Sequence, residues 1–433
     1  MPLTPNDPTS RRSFLSFVAA SPLFAAAGAQ LGGLDRLIAG SPRDHARALE
    51  LLQQAVQDAA PISAASQALN VFDFEPVARK KLPPAHWGYL ATGSDDDGTI
   101  RANRDGMSRY ELRVRRLVDT SRVDTSTTLL GTTYATPIVV CPVGSQRAFH
   151  PDGELATARA AKAKDHLQVL STVATTSIED VIAARGGPVW FQLYTQPDFS
   201  KVKQMLQRAE KAGAPAVVWT VDLLGGSNRE TMKREAMKDA RTCTNCHSGG
   251  RPQPGVSGRV DDRDNRRKPM LAGLQESAPM MLPGSPTWDM IKRFKDATTM
   301  KVFVKGIVTR EDAELAMEHG VDGLFVSNHG GRAENSQRAT ISCVSEVVAG
   351  VAGRAPVEVD GGFRRGTDIF KGLALGASAV GVGRPYIWGL ASFGQEGVET
   401  VLALLRKELE TVMKQAGTTS IRKITRDFVV ARA

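Results

Sequence analysis

Six consecutive residues, Ser327-Asn328-His329-Gly330-Gly331-Arg332, set an imidazole close to a guanidinium with only glycines between them. A histidine titrates near neutral pH and can take a proton from a substrate, and an arginine fork can grip a carboxylate through two parallel hydrogen bonds. Asp222 closes an apolar run over 214–222. A carboxylate there could meet His329 across neighbouring strand ends, orient its ring and stabilise the imidazolium formed on proton abstraction. Arg229 is a second candidate for the carboxylate fork. Lys305 lies near the end of another apolar run, where a fixed ammonium would stabilise the negative charge that a flavin ring develops as it accepts electrons. Two further segments, Asp360-Gly361-Gly362 with Arg364 and Gly383-Arg384, join bare backbone N–H groups to arginines, a combination that holds phosphate. These residues together predict proton abstraction beside a phosphorylated substrate or cofactor.

A different chemistry is written at Cys243-Thr244-Asn245-Cys246-His247. The C-x-x-C-H pattern attaches haem c, with both thiols joined to the vinyl groups and the histidine ligating iron. Met270, Met280 and Met281 downstream are candidate sixth ligands. A disulfide or free thiols, or a metal site, are the other readings of the same five residues. Cys141 and Cys343 sit in apolar surroundings and read as buried, inert thiols.

The elements that must position these residues are legible from Pro137 onward. Apolar, β-branched runs recur at 137–143, 166–172, 189–195, 214–222, 301–307, 323–329, 355–362 and 377–385, each followed by a helical pattern. Continuous apolar strands alternating with helices imply a parallel sheet covered on both faces, and eight such units predict an α/β fold closed as a TIM (β/α)8 barrel. Active sites of such barrels lie at the C-terminal ends of the strands. The polar residues cluster there: Ser171 on the second strand, Gln192 and Tyr194 on the third, Thr220 and Asp222 on the fourth, and Lys305 on the fifth. Ser327 and His329 follow on the sixth, Asp360 on the seventh, and Gly383-Arg384 on the eighth. The phosphate site falls after the seventh and eighth strands, its usual place. A long excursion over 229–286 follows the fourth strand and carries the C-x-x-C-H motif.

With these motifs in place, the segment from Phe72 to the C-terminus resembles the FMN-dependent 2-hydroxy acid dehydrogenases and oxidases. Gly88-Tyr89 before Gly93, His150-Pro151 with Gly153-Glu154, Phe191-Gln192-Leu193-Tyr194, Thr220-Val221-Asp222 and Lys305-Gly306 all match in order. So do Ser327 to Arg332, Asp360 to Asp368, and Gly383-Arg384-Pro385. The resemblance implies FMN and oxidation of an L-2-hydroxy acid to the 2-oxo acid. It makes His329 the base paired with Asp222, and gives the substrate carboxylate to Arg332 and Arg229. Tyr89 and Tyr194 would bond its carboxylate and hydroxyl. Lys305, Gln192, Thr220, Ser171 and Ser327 would surround the flavin ring, and Asp360, Gly361, Gly362, Arg364, Gly383 and Arg384 the ribityl phosphate. It also implies a homo-oligomer, a tetramer by the family's habit. It leaves open whether the α-proton or the hydroxyl proton leaves first, and whether oxygen or a cytochrome or quinone-type acceptor takes the electrons. Valine at 173, where an aromatic is common, and glycine at 144, where alanine is common, predict a wider pocket and a bulkier substrate than glycolate.

Upstream, Ser10-Arg11-Arg12-Ser13-Phe14-Leu15 leads an apolar run to about Gly28, interrupted by Ser21 and Pro22. It is too short to span a bilayer and reads as a twin-arginine export signal over residues 1–29, with Ala27-Gly28-Ala29 as the cleavage site, so that a periplasmic enzyme is expected. Residues 30–130 read as a helical segment leading into the barrel at 131–433, and the acidic run Asp95-Asp96-Asp97 as a solvated turn. The formal charge is +9 in 433 residues. The basic residues are scattered, with no stripe interleaved with aromatics, so nucleic acid is not an expected partner. Two competing readings are another phosphate-binding barrel dehydrogenase and a haem-bearing electron carrier on a degenerate barrel. The first leaves Arg332 and the Tyr89–Tyr194 pair without a role, and the second predicts no flavin spectrum.

Overall fold

In the computed structural model, residues 62–223, 225–241, 268–271 and 286–432 are described, all within a unit spanning 62–433. The export signal, the C-x-x-C-H motif, Met280 and Met281 lie outside the described residues. Among those described, no helix is long and apolar enough to cross a membrane.

Eight parallel strands close the barrel: β4 (Ile138–Val140), β5 (Leu167–Ser171), β6 (Trp190–Leu193), β7 (Ala216–Thr220), β8 (Lys301–Ile307), β9 (Gly323–Val326), β10 (Val357–Val359) and β11 (Ala379–Val382), with β11 pairing back onto β4. They correspond in order to the eight expected runs. The paired segments are shorter because the ends of those runs leave the ladder to become rim. Helices follow the strands: α4 (Gly153–Lys164), α5 (Ile178–Arg185), α6 (Phe199–Lys211), α8 (Asp289–Ala297), α9 (Arg310–Glu318), α10 (Thr340–Val351), α11 (Gly366–Ala374) and α12 (Arg384–Ala416). α12 is broken at Phe393-Gly394.

Inward side chains alternate along each strand and stack in layers. Val139, Val169, Trp190, Val218, Phe303, Phe325 and Ala379 fill the middle, with the Trp190 and Phe303 rings 4.7 Å apart. Gly323 gives this layer its depth, since a Cβ there would meet the Phe303 ring at 2.1 Å. One step toward the C-terminal end the inward positions turn polar, through Ser171, Gln192, Thr220, Lys305, Ser327 and Asp360. The fold therefore places a dry plug beneath a polar floor.

The segment before the barrel is more than helical. It contains α1 (Phe74–Lys81), α2 (Pro84–Ala91) and α3 (Gly98–Asp105), but also β1 (Tyr110–Leu112), paired with β12 (Val429–Ala431), and the hairpin β2–β3 (Thr127–Leu129, Thr132–Tyr134). Leu130 and Gly131 turn the hairpin with φ of 48° and 77°, as a two-residue I′ turn requires. Leu129 and Tyr134 join the apolar cluster of the barrel core. After β7, α7 (Glu230–Met237) packs on α2 at Gly88, where a Cβ would meet Glu235 Cβ at 2.6 Å.

Candidate active site

The rim loops bring His329 and Asp222 together. His329 stands one turn past β9 with φ 57°, followed by Gly330 and Gly331 at 65° and 79°. A left-handed histidine costs free energy and persists only where its surroundings over-determine it. Those surroundings are visible: the His329 N–H donates to Ser327 Oγ at 3.0 Å, and Asn328 Oδ1 accepts from Gly331 N–H at 2.9 Å. The Asn328 amide also pairs reciprocally with Asn103 of α3, at 2.9 and 3.0 Å. On the other side, Asp222 is admitted close to β8 by a bulge at Gly306 (φ 113°), where a Cβ would lie 2.7 Å from Asp222 Cβ.

His329 Nδ1 lies 2.8 Å from Asp222 Oδ1. Burial works against ionisation of Asp222, but His329 and Lys305 outweigh it and hold the carboxyl below its usual range. An ionised carboxylate only accepts, so Nδ1 carries the imidazole proton and Nε2 presents its lone pair. Tyr194 Oη is 3.4 Å from Nε2. Burial lowers the pKa of His329, with Asp222 opposing it, and the ring is a neutral base at pH 7.

Lys305 is buried at the centre of the floor. Its Nζ donates to Ser327 Oγ at 2.6 Å and lies 3.4 Å from Asp360 Oδ2 and 3.6 Å from Asp222 Oδ2. Burial favours the neutral amine, but Asp360 and Asp222 outweigh it and hold the ammonium above its ordinary pKa. The Ser327 hydroxyl passes its own proton to Asp360 Oδ1 at 2.7 Å. With the bonds from Lys305 and His329 N–H, that hydroxyl is saturated and the floor is rigid. A second chain runs from Ser171 Oγ to Gln192 Oε1 (3.1 Å) and from Gln192 Nε2 to Thr220 Oγ1 (2.9 Å).

A cavity of about 820 Å³, open to solvent, lies above this floor. Tyr89, Ser171, Tyr194, Lys305, His329, Arg332, Asp360, Gly361, Gly362, Arg364, Gly383 and Arg384 line it. Ser327, Gln192 and Asp222 stand behind, bonded to lining residues, and Thr220 stands behind Gln192. Gly361 and Gly362 adopt φ of 96° and 86° and bring bare backbone to the far end, near the N-termini of α11 and α12. Helix N-termini and exposed N–H groups suit an anion. The Arg364 guanidinium stacks over Trp388 at 4.9 Å, and burial followed by Arg104 lowers its pKa to about 10. Arg384 reaches the same cavity but spends its donors on carbonyls, of Gly330 (2.7 Å), Leu90 and Thr92 (both 2.9 Å).

At the other end, Arg332 stacks over Tyr89 at 4.8 Å and donates to the carbonyls of Tyr89 (2.5 Å) and Thr92 (3.1 Å). Burial, then the charge of Arg229, pulls its pKa down to about 9. Arg229 Nε is itself buried with no protein partner. Arg229 does not itself line the cavity, but a buried donor without a partner among the described residues, beside a second guanidinium, could receive a carboxylate.

Two expectations change, for Gly144 and for Asp97. Gly144 does not widen the pocket, because Val173 fills its space: a Cβ on Gly144 would meet Val173 Cγ2 at 2.4 Å. Cys141 is buried as expected, and it lines the cavity floor with Sγ 3.8 Å from Asp360 Oδ2. Asp97 is no solvated turn residue, as its carboxylate is bonded across the chain. Two features went unanticipated. Lys268, on the excursion after β7, is buried with its Nζ donating to Val173 O at 2.9 Å. Glu358 projects into the apolar layer with both oxygens buried and unpartnered. Its alternation with Asp360 was the only signal for it.

A family model described as FMN-dependent dehydrogenase matches residues 78–431. Glycolate oxidase 3 of Arabidopsis thaliana is 41% identical over 363 residues, covering 83% of this chain and 95% of its own. Glycolate oxidase of Spinacia oleracea is 38% identical over 365 residues, covering 84% and 95%. The crystal structure of mandelate oxidase is similar with a TM-score of 0.72 at 35% identity, covering 84% of this chain and 99% of that one.

Proposed function

This chain belongs to the family of FMN-dependent dehydrogenases, and on that premise we propose that it oxidises a 2-hydroxy acid to the 2-oxo acid, with dioxygen as electron acceptor. It is an FMN-dependent oxidoreductase acting on a CH–OH group. The observation that carries the substrate reading is the position of His329. Its Nε2 faces a cavity with an ammonium on the floor and guanidiniums at both ends, while Nδ1 is tied to an ionised carboxylate. The acceptor reading leans on the relatives, which are named oxidases.

The residues present fit FMN. Gly361, Gly362, Arg364, Gly383 and Arg384 would hold the phosphate, Arg384 exchanging carbonyl partners for phosphate oxygens. Ser171, Gln192, Thr220 and Lys305 would hold the ring. FMN supplies the acceptor for the electron pair released from the substrate Cα. Arg332 and Arg229 fix the substrate carboxylate, and Tyr89 and Tyr194 bond its carboxylate and hydroxyl. His329 takes a proton at Nε2, and Asp222 stabilises the resulting imidazolium. The Lys305 ammonium balances negative charge arriving at the floor.

Valine at 173 is smaller than the aromatic common there in the family, and the proposal extends to substrates with a side chain bulkier than that of glycolate. It extends also to an exported enzyme, on the strength of Arg11-Arg12 and the apolar run that follows. Purified protein should show flavin absorbance, bleached under anaerobic conditions by a 2-hydroxy acid from a panel running from glycolate through lactate to mandelate. Bleaching by none of them would sink the substrate reading. Reoxidation by a dye but not by air would overturn the acceptor.

A further inference from the structure

Between α2 and α3 the chain turns through Thr92–Asp97 and touches both loops that carry the carboxylate-binding arginines. On one side Ser94 N–H donates to Gly331 O at 2.9 Å, and Thr92 O accepts from Arg332 Nη1 at 3.1 Å. On the other, Asp95 N–H donates to Asn228 O at 2.7 Å, and the Thr231 hydroxyl donates to Asp97 Oδ2 at 2.6 Å. Asn228 and Thr231 bracket Arg229. Both of its flanks are thus held by the turn that also holds Arg332.

The local conformation is unfavourable for the residues that occupy it. Asp95 and Asp97 adopt φ of 50° and 63°, a region that favours glycine. Asp97 stands at the N-cap of α3, where a carboxylate ordinarily accepts from the first helical turn. It makes no such bond. Its Oδ1 turns back to Gly93 N–H at 2.5 Å and its Oδ2 crosses to Thr231. The chain forgoes a cap and accepts backbone strain to keep a link between segments distant in sequence.

We infer that Asp97 and Thr231 form a strap that fixes Arg229 relative to Arg332, which makes Asp97 a positioning residue for substrate. The inference rests on the reading that these arginines hold the substrate carboxylate. A strap of this kind holds the two forks at one spacing, and loosening it costs affinity and not chemistry.

The test is anaerobic stopped-flow reduction of the bound flavin, read as substrate Kd and limiting rate for the best acid of the panel. Thr231→Val removes one hydroxyl, and Asp97→Ala removes both bonds. Each should raise Kd about tenfold, the effect of one hydrogen bond to a charged group, with the limiting rate and FMN affinity unchanged. Asp97→Asn should restore most of the affinity, its amide donating to Thr231 while its oxygen serves Gly93. In an Arg229→Met background, Thr231→Val should add nothing further. A full additional loss in that background, or loss of limiting rate with Kd intact, overturns the strap. If Arg229→Met itself leaves Kd unchanged, the arginine reading fails instead, and the two failures are distinguished.

Discussion

Replacing Asp222 with asparagine separates two things a carboxylate can do for a histidine base. The imidazolium formed at His329 would sit with Nδ1 2.8 Å from Asp222 Oδ1, so the charge centres are about 4 Å apart. At an effective dielectric near 20 this attraction is about 4 kcal/mol, of which a neutral amide recovers about 1 kcal/mol as a hydrogen bond. A net loss of about 3 kcal/mol lowers the limiting rate of flavin reduction by about two orders of magnitude. The pH dependence should move in a direction that simple damage would not produce. His329 must be neutral to accept a proton, and Asp222 now raises a pKa that burial depresses. Without that carboxylate the pKa falls further, so the acid limb of the profile shifts to lower pH while the plateau drops. Lys305 keeps Asp360 at 3.4 Å and stays charged. Anaerobic stopped-flow across pH 5 to 8 reads both quantities. A plateau within threefold of wild type, or an acid limb that stays put or moves up, would refute the pairing as the source of catalysis.

His329→Gln should abolish flavin reduction while FMN still co-purifies, because among the described residues the imidazole bonds only Asp222 and Tyr194; flavin reduced by substrate at a near-normal rate would remove His329 from the role of base. Lys305→Met deletes the only ammonium on the floor among the described residues and leaves Asp360 and Asp222 without that cation. Weaker FMN binding or slower reduction is expected, and unchanged values of both, measured by flavin fluorescence titration and stopped-flow, would argue against it. Glu358 gives a stability prediction. Burial, then the charge of Asp360, raises its pKa well above 4.5, so the folded protein holds a proton that the unfolded chain releases. Stability from this group is complete at low pH and falls by about 1.4 kcal/mol per pH unit from the unfolded pKa up to the folded one. Glu358→Gln should flatten the decline in urea-unfolding free energy between pH 5 and 8, and an identical slope in the two proteins would show that the carboxyl is ionised or solvated.

The barrel was legible because each strand is buried on both faces and therefore written as an unbroken apolar run. The catalytic floor was legible for a related reason: Ser171, Gln192, Thr220, Lys305, Ser327 and Asp360 are polar exceptions at one end of those runs, where burial must be explained by function. Pairings that depend on backbone geometry were not legible. Nothing local in Asp95-Asp96-Asp97 distinguishes a solvated turn from one in which two residues adopt positive φ and a carboxylate crosses to Thr231. Gly144 and Val173 looked like two independent enlargements, because the valine takes the space a Cβ at 144 would need, 2.4 Å from Val173 Cγ2, only once the loops after β4 and β5 meet. Glu358 was hidden by the apolar residues around it, although its spacing of two from Asp360 places both on the inner face of β10.

Under the proposed function, the charges of the floor favour the histidine, and not the neighbouring carboxylate, as the base. Asp222 and Asp360 flank one ammonium, Lys305, and His329 is neutral, so the four groups together carry one negative charge. A proton taken by Asp222 would break its ion pair with Lys305 and its bond to the imidazole at the same time. A proton taken at His329 Nε2 breaks neither, strengthens the Nδ1 bond, and brings the group to zero. FMN would take the electron pair and Lys305 would balance the charge it brings, so the cation that balances the electrons and the imidazole that takes the proton both border the Asp222 carboxylate. The guanidiniums of Arg332, Arg364 and Arg384 have their pKa lowered by burial and by one another or by other arginines. On the proposed reading, a substrate carboxylate and the FMN phosphate would relieve that repulsion from the two ends of one cavity. Each anion should therefore weaken the penalty on its own cluster, and binding of FMN should raise the unfolding temperature by more than its apolar contacts with the ring alone would.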